Sequence, residues 1–145
     1  MSPRLSSEMV HATTVAKDGR AVVIAGRSGS GKSDLALRLI DRGFVLVSDD
    51  QTLVQKSGDR LIASAAPTIE GKLEVRGVGI IEVDNAATAA VSLWVDLSSE
   101  IKRLPDEEKW VILGIGIPAI GLDAFTASAP LKVELALDRL GLAAR

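Results

Sequence analysis

Cysteine is absent from this sequence, histidine occurs once as His11, and the aromatic residues are two tryptophans, two phenylalanines and no tyrosine. Without cysteine there are no disulfides, no thiol nucleophile and no thiolate-bound zinc or iron–sulfur centre. A single histidine excludes multi-histidine metal sites. So few aromatics argue against a platform on which successive nucleic-acid bases stack. A basic excess is missing as well: 17 Lys and Arg stand against 19 Asp and Glu, for a net charge of −2, so nothing drives non-specific nucleic-acid binding. The longest uncharged apolar stretch near the C-terminus, Val111 to Leu122, is too short to span a bilayer and is interrupted by three glycines and a proline. No basic segment followed by an apolar run opens the chain, so no signal peptide is expected, and a reduced cytoplasmic compartment is.

What is present is an ordinary globular composition, 47% hydrophobic and 25% charged over 145 residues. A chain of this size buries roughly two-thirds of its unfolded surface. One domain over residues 1–145 is expected. The apolar content is high for so few aromatics, which suggests a homo-oligomer.

Along the chain, Met9 to Val15 reads as a strand, followed by a turn at Lys17-Asp18-Gly19. The continuous apolar run Ala21 to Ala25 suits a strand buried on both faces. Gly26 to Gly31 is a Gly- and Ser-rich loop. Lys32 to Asp41 then has a broad apolar face of Leu35, Leu37, Leu39 and Ile40, with Gly43 as a helix stop. Phe44 to Val47 is a further apolar run, ending at Ser48-Asp49-Asp50. Strand, loop, helix and strand together have the size of a βαβ unit. Beyond it, Thr52 to Gln55 and Arg60 to Ala63 flank a hairpin turn at Ser57-Gly58-Asp59. Leu73 to Val83 is strand-rich but punctuated by Gly77 and Gly79. Ala90 to Leu97, Lys109 to Ile112 and Pro118 to Leu122 read as strands, Asp106 to Lys109 as a solvated charged turn, and Leu131 to Leu140 as a helix with Leu131, Leu135 and Leu137 on its apolar face.

Gly26-Arg27-Ser28-Gly29-Ser30-Gly31-Lys32-Ser33 satisfies G-x-x-x-x-G-K-[ST]. It follows an apolar strand and opens an amphipathic helix, the context this motif requires. Its glycines bring backbone amides close to an anion, and these amides with the helix N-terminus make a positive nest for phosphate. In such a loop Lys32 reaches the β- and γ-phosphates of ATP and Ser33 ligates Mg²⁺. A turn that merely capped a helix would have no use for the lysine.

Asp49-Asp50 falls at the end of the strand after that helix, beside the loop in a parallel arrangement. One carboxylate suits Mg²⁺, and a second suits a base toward an attacking hydroxyl or water. Neighbours on an extended strand point opposite ways, so the two have different tasks unless the strand bends there. His11, on the preceding strand, comes near the loop across a hairpin. Glu74 and Arg76 share a face of a β-like stretch, where arginine suits a transferred phosphoryl group and a surface ion pair is the plainer alternative. Trp94 and Trp110 read as packing residues.

His11, Gly26 to Ser33, Asp49-Asp50 and Leu73-Glu74-Val75-Arg76-Gly77-Val78-Gly79-Ile80-Ile81 together resemble the HPr kinase/phosphorylase catalytic domain. The last stretch is similar to that family's own signature and is more specific than the loop. The resemblance covers residues 9–83 well and returns loosely around Leu113 to Pro118. It implies an α/β fold, a P-loop-containing kinase domain with a mixed β-sheet. It also implies a Mg²⁺-dependent enzyme that phosphorylates a serine of HPr, the phosphocarrier of a sugar phosphotransferase system, using ATP or pyrophosphate, and that reverses this by phosphorolysis. Asp49 matches the acid/base residue, His11 an active-site histidine, Asp50 and Glu74 the metal shell beside Ser33, and Arg76 a phosphate contact.

Position 27 is Arg where many members carry an acidic residue. The segment Ala119 to Pro130 lacks the arginine of the family's Pro-Gly-Arg-Asn type loop, which bears on phosphorolysis. The family's N-terminal domain is not in this sequence and the C-terminal helices are short, as in forms resembling those of alphaproteobacteria. Two other readings fit the loop: a small-molecule kinase, for which no arginine-rich lid follows Glu82, and a nucleotide-binding regulatory module without catalysis.

Overall fold

The computed structural model describes residues 6–98, 101 and 108–144. The stretch expected as one strand, Met9 to Val15, is two: β1 (Ser7–Val10) and β2 (Ala12–Lys17), separated by a bend at His11. β1 pairs with β5 (Thr52–Ser57), whereas β2 lies between β3 (Arg20–Ala25) and β4 (Val45–Ser48). The bend lets one run of chain serve two parts of the sheet. It leaves the His11 side chain exposed at their junction.

The suggested βαβ unit is also altered. β3 and β4 run parallel and are joined by α1 (Lys32–Asp41), but β2 sits between them, antiparallel to both. The cause is local. Asp18 and Gly19 adopt positive φ, 53° and 76°, in a two-residue turn that closes β2 onto β3 as a hairpin. The ends of β3 and β4 still emerge on the same edge, which keeps the loop after β3 beside Asp49-Asp50.

α1 occupies the expected range. Leu35, Ala36 and Leu39 are fully buried. Gly43, at φ +100°, turns the chain out of the helix, and the Phe44 amide bonds back to the Leu39 carbonyl.

The main sheet runs in the order β1-β5-β6-β9-β3-β2-β4, with β6 at Arg60–Ser64 and β9 at Thr88–Asp96. It divides along β9. Residues 88–90 pair antiparallel with β6, and residues 94–96 pair parallel with β11 (Ile115–Gly121), which carries β10 (Lys109–Ile112) at its edge. Ser92 is an extra residue in the ladder with β3, so Val91 and Trp94 fall on one face while Leu93 and Val95 fall on the other.

One face, through Val15, Val22, Ile24, Leu93 and Val95, packs on α1 and on α2 (Ala129–Leu140). The other, through Ala16, Val23, Val54, Leu61, Trp94 and Ile117, closes a second core as the sheet curls. A separate hairpin of β7 (Lys72–Val75) and β8 (Gly79–Glu82) seats Leu73 in the first core.

α2 starts two residues earlier than expected because Pro130 is tolerated in a first turn. Its apolar face differs as well. Ala129, Val133 and Leu137 are buried, whereas Leu131 and Leu135 are 47% and 59% exposed. Arg20 closes the helix end by donating to the carbonyls of Leu137, Gly141 and Leu142. Arg42, after α1, is paired with Glu134 of α2. That hydrogen bond and charge hold the Glu134 carboxyl below its ordinary range.

Of the charged turn expected over Asp106 to Lys109, Asp106 and Glu107 lie outside the described residues, and Lys109 opens β10. No helix among the described residues is long and apolar enough to cross a membrane.

Candidate active site

The loop from Gly26 to Gly31 joins β3 to the N-terminus of α1. Gly26 has no room for a side chain: a Cβ there would meet Ser30 Oγ at 2.5 Å and Leu97 Cβ at 3.0 Å. Gly31, at φ +97°, would bring a Cβ within 2.9 Å of Ala124 Cβ. The Ser30 amide bonds to the Arg27 carbonyl at 3.0 Å, and Ser30 Oγ is buried without a hydrogen-bond partner among the described residues. The loop thus folds closely on itself at the helix N-terminus, where backbone amides favour an anion.

Lys32 is only 6% exposed. Its ammonium donates to the carbonyls of Gly26 at 2.9 Å and Arg27 at 3.1 Å. A buried cation must be met by acceptors, and charged oxygens such as those of a phosphate are stronger partners than neutral carbonyls.

Asp49 and Asp50 follow β4, and the chain does bend there. Asp50 takes φ +66°, so the two carboxylates enter different surroundings. Asp49 Oδ1 accepts from Ser33 Oγ at 2.7 Å and from Thr13 Oγ1 at 3.0 Å, while its Oδ2 accepts from the Glu74 amide at 3.0 Å. Asp50 Oδ1 lies 2.7 Å from His11 Nε2, with both side chains more than half exposed. The family resemblance assigned the acid/base role to Asp49 and the metal side to Asp50. The hydrogen bonds join Asp49 to Ser33 and Asp50 to His11.

A cleft of about 430 Å³ gathers most of the expected residues: Ser28, Gly29, Gly31, Lys32, Ser33, Asp49, Asp50, Glu74 and Arg76 all line it. Among the described residues neither Glu74 nor Arg76 forms an ion pair. Gly26, Arg27 and His11 face a second cleft of about 390 Å³, on the other side of Ser28, whose wall includes Trp94 and Trp110. Those tryptophans stack with centroids 5.0 Å apart. The His11–Asp50 pair stands between the two clefts, His11 lining one and Asp50 the other.

The donor set can be tested for Mg²⁺. Ser33 Oγ and Asp49 Oδ1 are hard oxygens 2.7 Å apart, and Glu74 lines the same cleft. Among the described residues no group of three His, Asp or Glu side chains could hold a metal alone. Both facts fit a cation that takes one or two carboxylates and a hydroxyl and completes its shell with phosphate and water.

Sequence reasoning missed Thr13. It is fully buried, its hydroxyl donates to Asp49, and it accepts from the Asp50 amide at 3.1 Å. The available signal was a Thr-Thr pair inside the otherwise apolar β2. Thr14 faces the opposite core and bonds Thr52 at 2.8 Å.

Comparison with known proteins shows the family. Residues 4–127 match the family described as the HPr serine kinase C-terminal domain. The HPr kinase/phosphorylase of Caldicellulosiruptor bescii is 33% identical over 134 residues, 83% of this chain and 42% of that protein. The HPr kinase/phosphorylase of Geobacillus thermodenitrificans is 40% identical over 125 residues, 77% of this chain and 40% of that protein. The chain therefore spans about two-fifths of the length of these relatives. A solved HPr(Ser) kinase/phosphatase from Coxiella burnetii superposes with a TM-score of 0.79 at 29% identity, covering 90% of this chain and 94% of that one.

Proposed function

This chain belongs to the HPr serine kinase C-terminal domain family, and on that footing we propose that it transfers the terminal phosphoryl group of ATP to a serine hydroxyl of an HPr-type phosphocarrier. The observation that carries the reading is the His11–Asp50 pair, standing between the cleft that holds Lys32 and Ser33 and a second, open cleft.

In this account the loop amides from Gly26 to Gly31 and the Lys32 ammonium hold the donor phosphates. Asp34, Asp49, Asp50 and Glu74 line the cleft against only Lys32 and Arg76. A polyphosphate would be repelled there without a divalent cation. Bound Mg²⁺ would neutralise phosphate charge, with Ser33, Asp49 and Glu74 as its protein oxygens. We assign the proton-accepting role to Asp50 rather than Asp49. Asp49 already receives three hydrogen bonds, whereas the Asp50 carboxylate is exposed and, among the described residues, has His11 alone as a side-chain partner. As the serine oxygen bonds to phosphorus and the bond to the leaving diphosphate breaks, the serine proton passes to Asp50, which His11 orients. Arg76 offsets charge on the transferred group.

In phosphorolysis inorganic phosphate would attack the phosphorus of the phosphoserine, the bond to the serine oxygen would break with its proton returned by Asp50, and pyrophosphate would leave. Ala119 to Pro130 carries no arginine, so the proposal is for the kinase direction. Residues 1–145 are read as one catalytic domain working in the cytoplasm. A homo-oligomer is part of the proposal, supported by the exposed Leu131, Leu135 and Leu140 on α2.

The test is an acceptor comparison with labelled ATP and Mg²⁺. An HPr-type protein should be labelled on serine, and small hydroxyl compounds should not. Labelling of small acceptors alone would replace this reading with a small-molecule kinase.

A further inference from the structure

Phe125 presents its ring to solvent at the mouth of the donor cleft. It is 69% exposed, whereas Phe44, the other phenylalanine, is 2% exposed. A single exposed apolar side chain is unremarkable in itself. What distinguishes this one is how firmly its backbone is held. The Phe125 amide donates to Asp123 Oδ1 at 2.9 Å, and Thr126 Oγ1 donates to the Asp123 carbonyl at 3.0 Å. The Arg38 guanidinium, from α1, donates to the carbonyls of Ala124 and Thr126 on either side of it. Ala124 is buried. The segment is thus clamped to α1 while the ring is turned outward.

The ring also lies against the phosphate loop. A Cβ built on Gly31 would stand 3.2 Å from Phe125 Cε1 and 3.3 Å from Cζ. Any side chain at position 31 would therefore displace the ring. Phe125 lines the same cleft as Lys32, Ser33 and Leu37, with Glu74 and Arg76 of the β7–β8 hairpin also in its wall. In a loop of this kind the backbone amides cradle the α- and β-phosphates while the lysine takes the terminal ones. A nucleoside attached to those phosphates would extend into the cleft that Gly31, Leu37 and Phe125 line together.

We propose that Phe125 is the stacking surface for the donor's base, so that this chain takes a nucleoside triphosphate in preference to bare pyrophosphate. The proposal rests on the phosphoryl-transfer reading above and deepens it by choosing between the two donor classes. An aromatic face stabilises a base by stacking and gives nothing comparable to an inorganic anion. The two ligands must therefore respond differently to its removal.

Calorimetric titration of the full chain with Mg²⁺-ATP and with Mg²⁺-pyrophosphate tests this directly. Phe125→Ala should raise the Kd for ATP about tenfold or more and leave that for pyrophosphate within about twofold, the range expected for loss of one base–aromatic stack. Phe125→Trp should restore ATP binding. Because the ring is exposed, both variants should keep the wild-type melting temperature. An unchanged ATP affinity in Phe125→Ala overturns the proposal. So does equal weakening of ATP and pyrophosphate, which would mark the residue as a support for the loop. Wild-type protein that binds pyrophosphate as tightly as ATP overturns the proposal and leaves phosphoryl transfer standing. Wild-type protein that binds neither removes both.

Discussion

Ser33 donates its hydroxyl to Asp49 at 2.7 Å, tying the first turn of α1 to the bend after β4. The contact fixes two of the oxygens proposed for the metal in one place. It also occupies Asp49, which in the proposed reading leaves Asp50 for the acceptor. The two adjacent carboxylates are therefore expected to fail in different ways when neutralised.

Asp50→Asn should keep Mg²⁺-ATP binding and lose phosphate transfer by roughly 10²- to 10⁴-fold, the usual contribution of a general base. Asp49→Asn should instead raise the Mg²⁺ concentration needed for nucleotide binding. Titrating Mg²⁺ in both variants, alongside single-turnover rates, separates the roles. Identical behaviour of the two variants would contradict the division, and the opposite pattern would return the base role to Asp49.

Thr13→Val tests the hydroxyl shared by the two aspartates. The change preserves shape but removes a donor to Asp49 and an acceptor for the Asp50 amide. Leaving buried polar groups unpaired costs about 1–3 kcal/mol, readable as a lower urea midpoint. Transfer should fall as well, because the Asp49 carboxylate loses one of its three donors and the Asp50 backbone loses its tie to β2. Thr14→Val, on the opposite face, should lower stability while largely sparing transfer. Equal loss of transfer in both variants would show that Thr13 has no special place.

The Arg42–Glu134 pair predicts a pH response away from the site. Glu134 has its pKa lowered, by the hydrogen bond from Arg42 first and by its charge second. A carboxyl depressed on folding adds stability that is present above its unfolded value, near 4.5, and lost as pH falls through the lower folded value. Glu134→Gln should therefore be less stable than wild type at neutral pH, with the gap closing as the solution is acidified below about pH 4.5. Urea melts at pH 7 and at pH 3 check the sign. A gap that widens on acidification would mean the pair is not formed in solution.

The range of α1 was legible because its signals are local: a glycine-rich loop before it, Leu35 and Leu39 four residues apart within it, and Gly43 after it. β10 was likewise found at its observed limits. The division at His11 was not legible, because apolar patterning runs on through the bend and only the distant partners, β5 for β1 and β3 for β2, distinguish its two sides. The face of α2 was found at Leu137 but misjudged at Leu131 and Leu135, because leucine outweighs alanine and valine in a hydrophobic pattern, while the core took Ala129 and Val133. Most of the site residues could be named from their motifs. Their pairing could not, since it depends on the left-handed backbone at Asp50 and on Thr13, whose partners lie in the turn after β4.

The central claim is phosphate transfer to a serine of an HPr-type protein. Its most direct test is the intact mass of that acceptor after incubation with this chain, Mg²⁺ and ATP, run in parallel with Lys32→Ala. The account predicts a gain of one phosphate, located on serine, that is lost with Lys32→Ala. An unmodified acceptor beside intact ATP binding would contradict it.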